Sequence, residues 1–196
     1  MDKTVIIKYN AGNIRSVLFA LERIGVEAVV TDDPELIRAA DKVIFPGVGE
    51  ASSAMAYLQE KQLVEVIRSL KQPVLGICLG MQLMCAHSEE NDTPCLGIFD
   101  LPVLKFNTQP NFKVPQIGWN QIYDLKSPLF EGIDPQSFVY FVHGYYVPAG
   151  DQSIATTDYM QPYSSGLQKD NFYALQFHPE KSGEIGQRIL QNFIGL

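Results

Sequence analysis

Between Thr4 and Met84, short β-branched runs alternate with segments of helical period, and this alternation leaves few folds open. The runs are TVIIKY (4–9), EAVVT (27–31), KVIFPGVG (42–49) and PVLGIC (73–78). Between the first two, NIRSVLFALERIG places Ile14, Val17, Leu18, Leu21 and Ile24 on one helical face, with Gly25 positioned to end it. DDPELIRAA reads as a short capped helix with Pro34 in its first turn, and a helical region covers about 52–71. Another helix begins at Leu79. Strands joined by helical crossovers assemble into a parallel sheet with helices on both faces.

From about 100 onward the apolar segments are short, alternating and divided by turns such as NTQPN, KSP and PAGD. They predict antiparallel strands over LPVLKF (101–106), QIGWNQIYDL (116–125), SFVYFVHGYYV (137–147), SIATTDY (153–159) and FYALQFH (172–178). GEIGQRILQNFI closes the chain as an amphipathic helix. No linker divides the sequence, so residues 1–196 are expected to form one α/β domain: a mostly parallel central sheet, flanking helices and added antiparallel strands.

Composition removes several functions. A net charge of -7 supplies no basic face for nucleic acid or an anionic membrane. Cys78, Cys85 and Cys95 cannot all pair and match no zinc spacing, so reduced thiols in a cytoplasmic setting are expected, with no metal and no cofactor. MDKTVIIKYN does not read as a secretory signal, and no apolar run approaches the roughly 20 residues of a membrane helix. The chain is expected to be soluble and cytoplasmic.

The chemistry concentrates at Gly76-Ile77-Cys78-Leu79-Gly80, where a buried strand turns into a helix. In open parallel sheets, ligands sit beyond the carboxyl ends of the strands. A residue between two glycines at such a turn projects from the sheet, as the serine does in G-x-S-x-G. Here it is a cysteine, at a helix N-terminus that favours thiolate, with the Leu79 N–H placed to hold an oxyanion. Taken alone, Cys78 fits a packed thiol in a turn equally well. A nucleophile needs a base and the base an orienting group. His87, in CAHSEEND, reads as solvated near a helix end, and His143, inside YFVHGYY, as a satisfied histidine. His178 differs: the strand ALQF ends at His178-Pro179-Glu180, and residues two apart in extended chain share a side, so Glu180 can reach the imidazole. Gly47 and Gly49 leave a strand-end loop free to turn N–H groups toward a ligand.

Together GICLGMQLM, PGVG and QFHPEKS resemble the class I (triad) glutamine amidotransferases, over essentially the whole chain. That resemblance implies a flavodoxin-like three-layer fold with Cys78 as nucleophile, His178 as base and acid, and Glu180 as its orienting carboxylate. It further implies glutamine held by Gln82 and the backbone at Gly144 and Tyr145, and an oxyanion strand of Gly47, Val48 and Gly49 beside Leu79. YNAGNIRSV, KVPQIGWNQI and YFVHGYY are similar to the branch serving histidine biosynthesis, whose partner is the (β/α)8 cyclase subunit of imidazole glycerol phosphate synthase. On that likeness Asn13, Pro115, Trp119, Tyr140 and Lys181 map to the partner interface. Asn10, Gly144 and Gln116 depart from the branch's usual glycine, serine or threonine, and histidine. A glutaminase serving another synthase, such as anthranilate or pyridoxal phosphate synthesis, and a silent partner-binding scaffold remain alternatives.

Overall fold

The computed structural model describes residues 3–10 and 12–196. In chain order the first half gives β1 (Thr4–Ile7), α1 (Ile14–Arg23), β2 (Ala28–Thr31), α2 (Pro34–Arg38), β3 (Lys42–Gly47), α3 (Ala51–Glu60), α4 (Leu63–Arg68), β4 (Val74–Cys78) and α5 (Leu79–Met84). The second half gives β5 (His87–Ser88), β6 (Thr93–Pro94), β7 (Pro102–Lys105), β8 (Gln116–Ile122), β9 (Ser137–His143), β10 (Tyr145–Pro148), β11 (Ser153–Tyr159), β12 (Gln161–Lys169), β13 (Phe172–Leu175) and α6 (Gly183–Ile194).

Strands β2, β1, β3 and β4 lie side by side and parallel, as the alternation predicts. The pleat sends side chains of successive residues to opposite faces, so each strand supplies both helical layers. Val5 and Ile7 pack beneath α3 and α4 with Leu58 and Ile67, whereas Ile6 joins Val17 and Leu21 of α1 and Ile189 and Phe193 of α6. The predicted helix starts hold locally: the Asp33 carboxylate accepts from the Glu35 and Leu36 N–H groups ahead of Pro34.

Five local expectations change. The helical region 52–71 is two helices, broken where Gln62 takes φ 56°. Helix α5 stops at Met84, so Cys85 sits at its end and His87 falls on β5. QPYSSGLQK was not foreseen as a strand, yet β12 spans it; its buried Ser164 hydroxyl donates to the Pro148 carbonyl (2.8 Å), so a polar residue is satisfied inside the sheet. FYALQFH is antiparallel only to β12. On its other side β13 lies parallel to β4, with Phe172 beside Val74 and Leu175 beside Ile77. A strand buried on both faces has no alternation to read, and its direction is decided by the neighbour it joins.

SFVYFVHGYYV also divides at Gly144. Strand β10 continues the main sheet through β12 and β7, whereas β9 pairs with β8 as a separate two-stranded ribbon.

Candidate active site

Strands β3, β4 and β13 are adjacent and parallel, so their carboxyl ends open at one edge of the sheet. The residues leaving those ends are the Gly47 loop, Cys78, and His178 with Glu180. Gly47 stands directly beside Cys78 in the β3–β4 register. The predicted residues, scattered along the chain, are therefore delivered to one place by strand order.

Cys78 occupies φ 54°, ψ -106°, a conformation that L side chains rarely adopt and that a strand-to-helix elbow imposes. The turn is this tight because α5 rides directly over β3: a Cβ at Gly80 would overlap the Phe45 carbonyl oxygen. The thiol is almost buried; its sulfur lies 3.7 Å from the Val142 carbonyl and 3.8 Å from the Gln176 side-chain nitrogen, which donates to it.

His178 and Glu180 are buried behind the cysteine, with side chains 1% and 0% exposed. Pro179 opens a short 3-10 turn that brings the carboxylate back beneath the ring, and His178 Nδ1 meets Glu180 Oε1 at 2.7 Å. Asn13 donates its side-chain N–H to the same oxygen. Nε2 of His178 has no hydrogen-bond partner among the described residues. Burial works against a charged ring here, but the Cys78 sulfur and the Glu180 carboxylate outweigh it and raise the His178 pKa to about 10. The Cys78 sulfur and the Glu180 carboxylate thus both favour the charged ring, and one ring nitrogen is left for a proton to be passed.

Cys78 opens onto a cleft of about 420 Å³. Val48, Gly49, Leu79, Gln82, Gly144 and Tyr145 line it, so most of the oxyanion and substrate residues implied by the resemblance share one wall system. Gly47 stands at its edge as the register partner of Cys78. Gln82 is buried; its amide donates to Gln176 Oε1 (2.9 Å) and to the Tyr145 carbonyl (3.3 Å). A methyl at Gly144 would meet Pro115 and Val114 at an ordinary 3.8 Å, so space does not demand glycine there. Gln116 is buried and accepts from the Tyr163 hydroxyl (3.0 Å), which also meets His143 Nε2 (3.2 Å). His143 is thus a satisfied buried histidine, its pKa lowered by burial to about 4.

The remaining predicted positions fall in different places. Pro115 lines the cleft. Trp119 and Tyr140 are cross-strand partners on the outward face of the β8–β9 ribbon, with ring centroids 5.9 Å apart. Lys181 is exposed at the end of the 3-10 turn after Glu180. Asn13 instead turns inward, onto the carboxylate.

Sequence reasoning missed Gln176, Glu90 and Lys105. Gln176 lies two residues before His178, so extended chain there would place it on the same side and that signal was present; Glu180, expected on the same period, instead reaches the ring through the 3-10 turn Pro179–Lys181. Glu90 and Lys105 reach the cleft from separate elements after α5, and nothing local marks them. Glu90 accepts from the Ala51 N–H (2.7 Å), while burial raises its pKa. Cys85 and Cys95 lie outside the site; burial pushes both thiols up, Cys95 to about 11. Among the described residues no group of His, Cys, Asp and Glu is arranged to hold a metal, and no helix is long and apolar enough to cross a membrane.

Residues 5–196 match the family model described as glutamine amidotransferase class-I. The chain belongs to that family. Among its relatives, the imidazole glycerol phosphate synthase subunit HisH of Bacteroides fragilis (strain ATCC 25285) is 60% identical, over 99% of this chain and 100% of the relative. The protein of the same name from Bacteroides thetaiotaomicron is 58% identical over the same shares. The amidotransferase also has the fold of PurLQS from Thermotoga maritima, with a TM-score of 0.74 at 18% identity over 100% and 99% of the two chains.

Proposed function

We propose that the chain is the glutaminase subunit of an imidazole glycerol phosphate synthase and acts as one catalytic unit in the cytoplasm. The observation that carries the catalytic part is that adjacent parallel strands deliver Cys78 and the hydrogen-bonded His178–Glu180 pair to one edge of the sheet, where Cys78 opens on a cleft large enough for an amino acid.

Glutamine enters with its side-chain amide at Cys78. The cleft walls carry Glu90 and Lys105, opposite charges that suit the α-ammonium and α-carboxylate of a zwitterion. Gln82 and the backbone at Gly144 and Tyr145 hold the rest of the amino acid. The thiolate attacks the amide carbon, and the developing oxyanion is held by the N–H groups of Leu79 and Val48, with Gly47 and Gly49 shaping the loop. His178 then gives its proton to the departing nitrogen, the C–N bond breaks, and ammonia leaves a glutamyl thioester on Cys78. Water, deprotonated by His178, attacks the thioester; glutamate departs and the thiolate and imidazolium are restored. Glu180 holds the ring's orientation and stabilises its charged form throughout.

The acceptor of the ammonia is a (β/α)8 cyclase subunit. Support comes from the names of the relatives and from the outward face of the β8–β9 ribbon. Ile117, Trp119 and Phe138 are 64%, 56% and 54% exposed there, a cluster of large apolar side chains beside the active-site rim, with Tyr140 between them. Pro115 lines the cleft itself, Lys181 is exposed at the end of the turn after Glu180, and Asn13 reaches the Glu180 carboxylate.

The experiment is glutamine hydrolysis by the purified chain, with and without a (β/α)8 cyclase subunit and its nucleotide ligand. Cys78→Ala is expected to abolish ammonia release and thioester formation while retaining the complex. Unchanged ammonia release by that variant, or capture of a different synthase instead of a cyclase, would overturn the assignment.

A further inference from the structure

Tyr9 is buried just beyond the end of β1, and the catalytic scheme above gives it no role. Its ring packs on Phe45, with centroids 5.2 Å apart, and its hydroxyl donates to the Pro46 carbonyl at 2.6 Å. That hydroxyl fills the space where a Cβ of Gly47 would stand. A few residues on, the Gly12 N–H donates to the Val48 carbonyl at 3.3 Å. The peptides on either side of Gly47–Val48 are therefore each tied by a carbonyl to the same chain segment. The peptide between them is the one that carries the Val48 N–H. Asn13, from the same segment, binds the Glu180 carboxylate.

We infer that Tyr9 is a positioning residue for the oxyanion loop: its hydroxyl holds the Pro46 carbonyl so that the Gly47–Val48 peptide presents its N–H toward the glutamine amide oxygen. Parallel strand order makes this possible, because β1 lies beside β3 and both release their chains at the edge where Cys78 sits. An oxyanion donor works only when it is aimed beforehand at the oxygen's position in the transition state. The effect of Tyr9 should then fall on turnover and spare both glutamine binding and the reactivity of the free thiol. This inference rests on the glutaminase reading.

Tyr9→Phe removes one oxygen and keeps the ring against Phe45. In the complex with the cyclase subunit and nucleotide, kcat for glutamine hydrolysis is expected to fall about 10- to 100-fold, below the roughly 10²–10³-fold of deleting an oxyanion donor outright. KM is expected to stay within about twofold, and alkylation of Cys78 by iodoacetamide without glutamine to be unchanged. A coupled test uses Gly47→Ala, whose methyl would collide with the Tyr9 hydroxyl. Its loss of kcat should be smaller in the Tyr9→Phe background than in the wild-type one. Unchanged kcat in Tyr9→Phe, an equal loss of alkylation rate, or strict additivity with Gly47→Ala would overturn the inference while leaving the glutaminase reading intact. A wild-type complex that does not hydrolyse glutamine would overturn that reading, and the inference with it.

Discussion

Glu180→Gln tests the buried relay most directly. Its carboxylate is wholly buried and makes a 2.7 Å contact with His178 Nδ1, while Asn13 donates to the same oxygen. Glutamine preserves the shape but removes the charge that faces the imidazolium. Breaking one partner of a buried ion pair costs about 3–5 kcal/mol. At about 1.36 kcal/mol per tenfold, kcat/KM for glutamine should fall by roughly a hundred- to several-thousand-fold. The pH profile supplies a second readout. With burial opposing it, the His178 pKa reaches about 10 because Cys78 and Glu180 favour the charged ring. Loss of the carboxylate lowers it, so the alkaline limb of the glutaminase profile should move toward neutrality. The sign for stability follows: with the folded pKa above the unfolded value of about 6.5, the ring's contribution is complete below pH 6.5 and disappears as pH rises toward about 10. The stability deficit of Glu180→Gln in urea titrations should accordingly be largest at or below neutral pH. Asn13→Ala is the control, since the His178 contact survives it. It should cost only about three- to tenfold, the net worth of one hydrogen bond, and leave the limb in place. A Glu180→Gln variant within tenfold of wild type, with an unmoved alkaline limb, would refute the reasoning.

Gln176→Leu deletes both the donor to the Cys78 sulfur and the acceptor for Gln82, so alkylation by iodoacetamide at neutral pH and kcat should each fall about tenfold; equal rates would remove Gln176 from the site. His143 is held neutral by burial at a pKa of about 4, so below pH 6.5 the unfolded chain takes up a proton that the folded one refuses. Between pH 7 and 5 this group should cost about 2 kcal/mol of stability, and His143→Phe, whatever its baseline, should lack that part of the acid loss. Parallel acid losses in urea titrations of the two proteins would contradict this. Trp119→Ala should weaken binding of the cyclase by at least about 2 kcal/mol, roughly 30-fold in Kd, without altering Cys78 alkylation; a Kd within threefold of wild type would place the interface elsewhere.

What the sequence determined by itself is local. The periods of the first half marked β1 to β4 and the helical segments between them, though not the break at Gln62, because an apolar face must be buried in the layer its spacing presents. The elbow at Cys78 was legible because only a narrow turn calls for glycines on both sides of a reactive residue. The pairing of His178 with Glu180 was legible from their closeness in sequence, but a 3-10 turn rather than extended chain makes the contact. Tertiary structure decided which strands are neighbours. β13 reads the same whether parallel or antiparallel, and only its pairing with β4 carries His178 to the edge where Cys78 emerges. The same cause hid Tyr9, Glu90, Lys105 and the inward turn of Asn13: each acts through residues remote in the chain, and side-chain contacts across strands and loops leave no period to read. Strand order, set by burial of the whole sheet between its two helical layers, joins the pieces into a site.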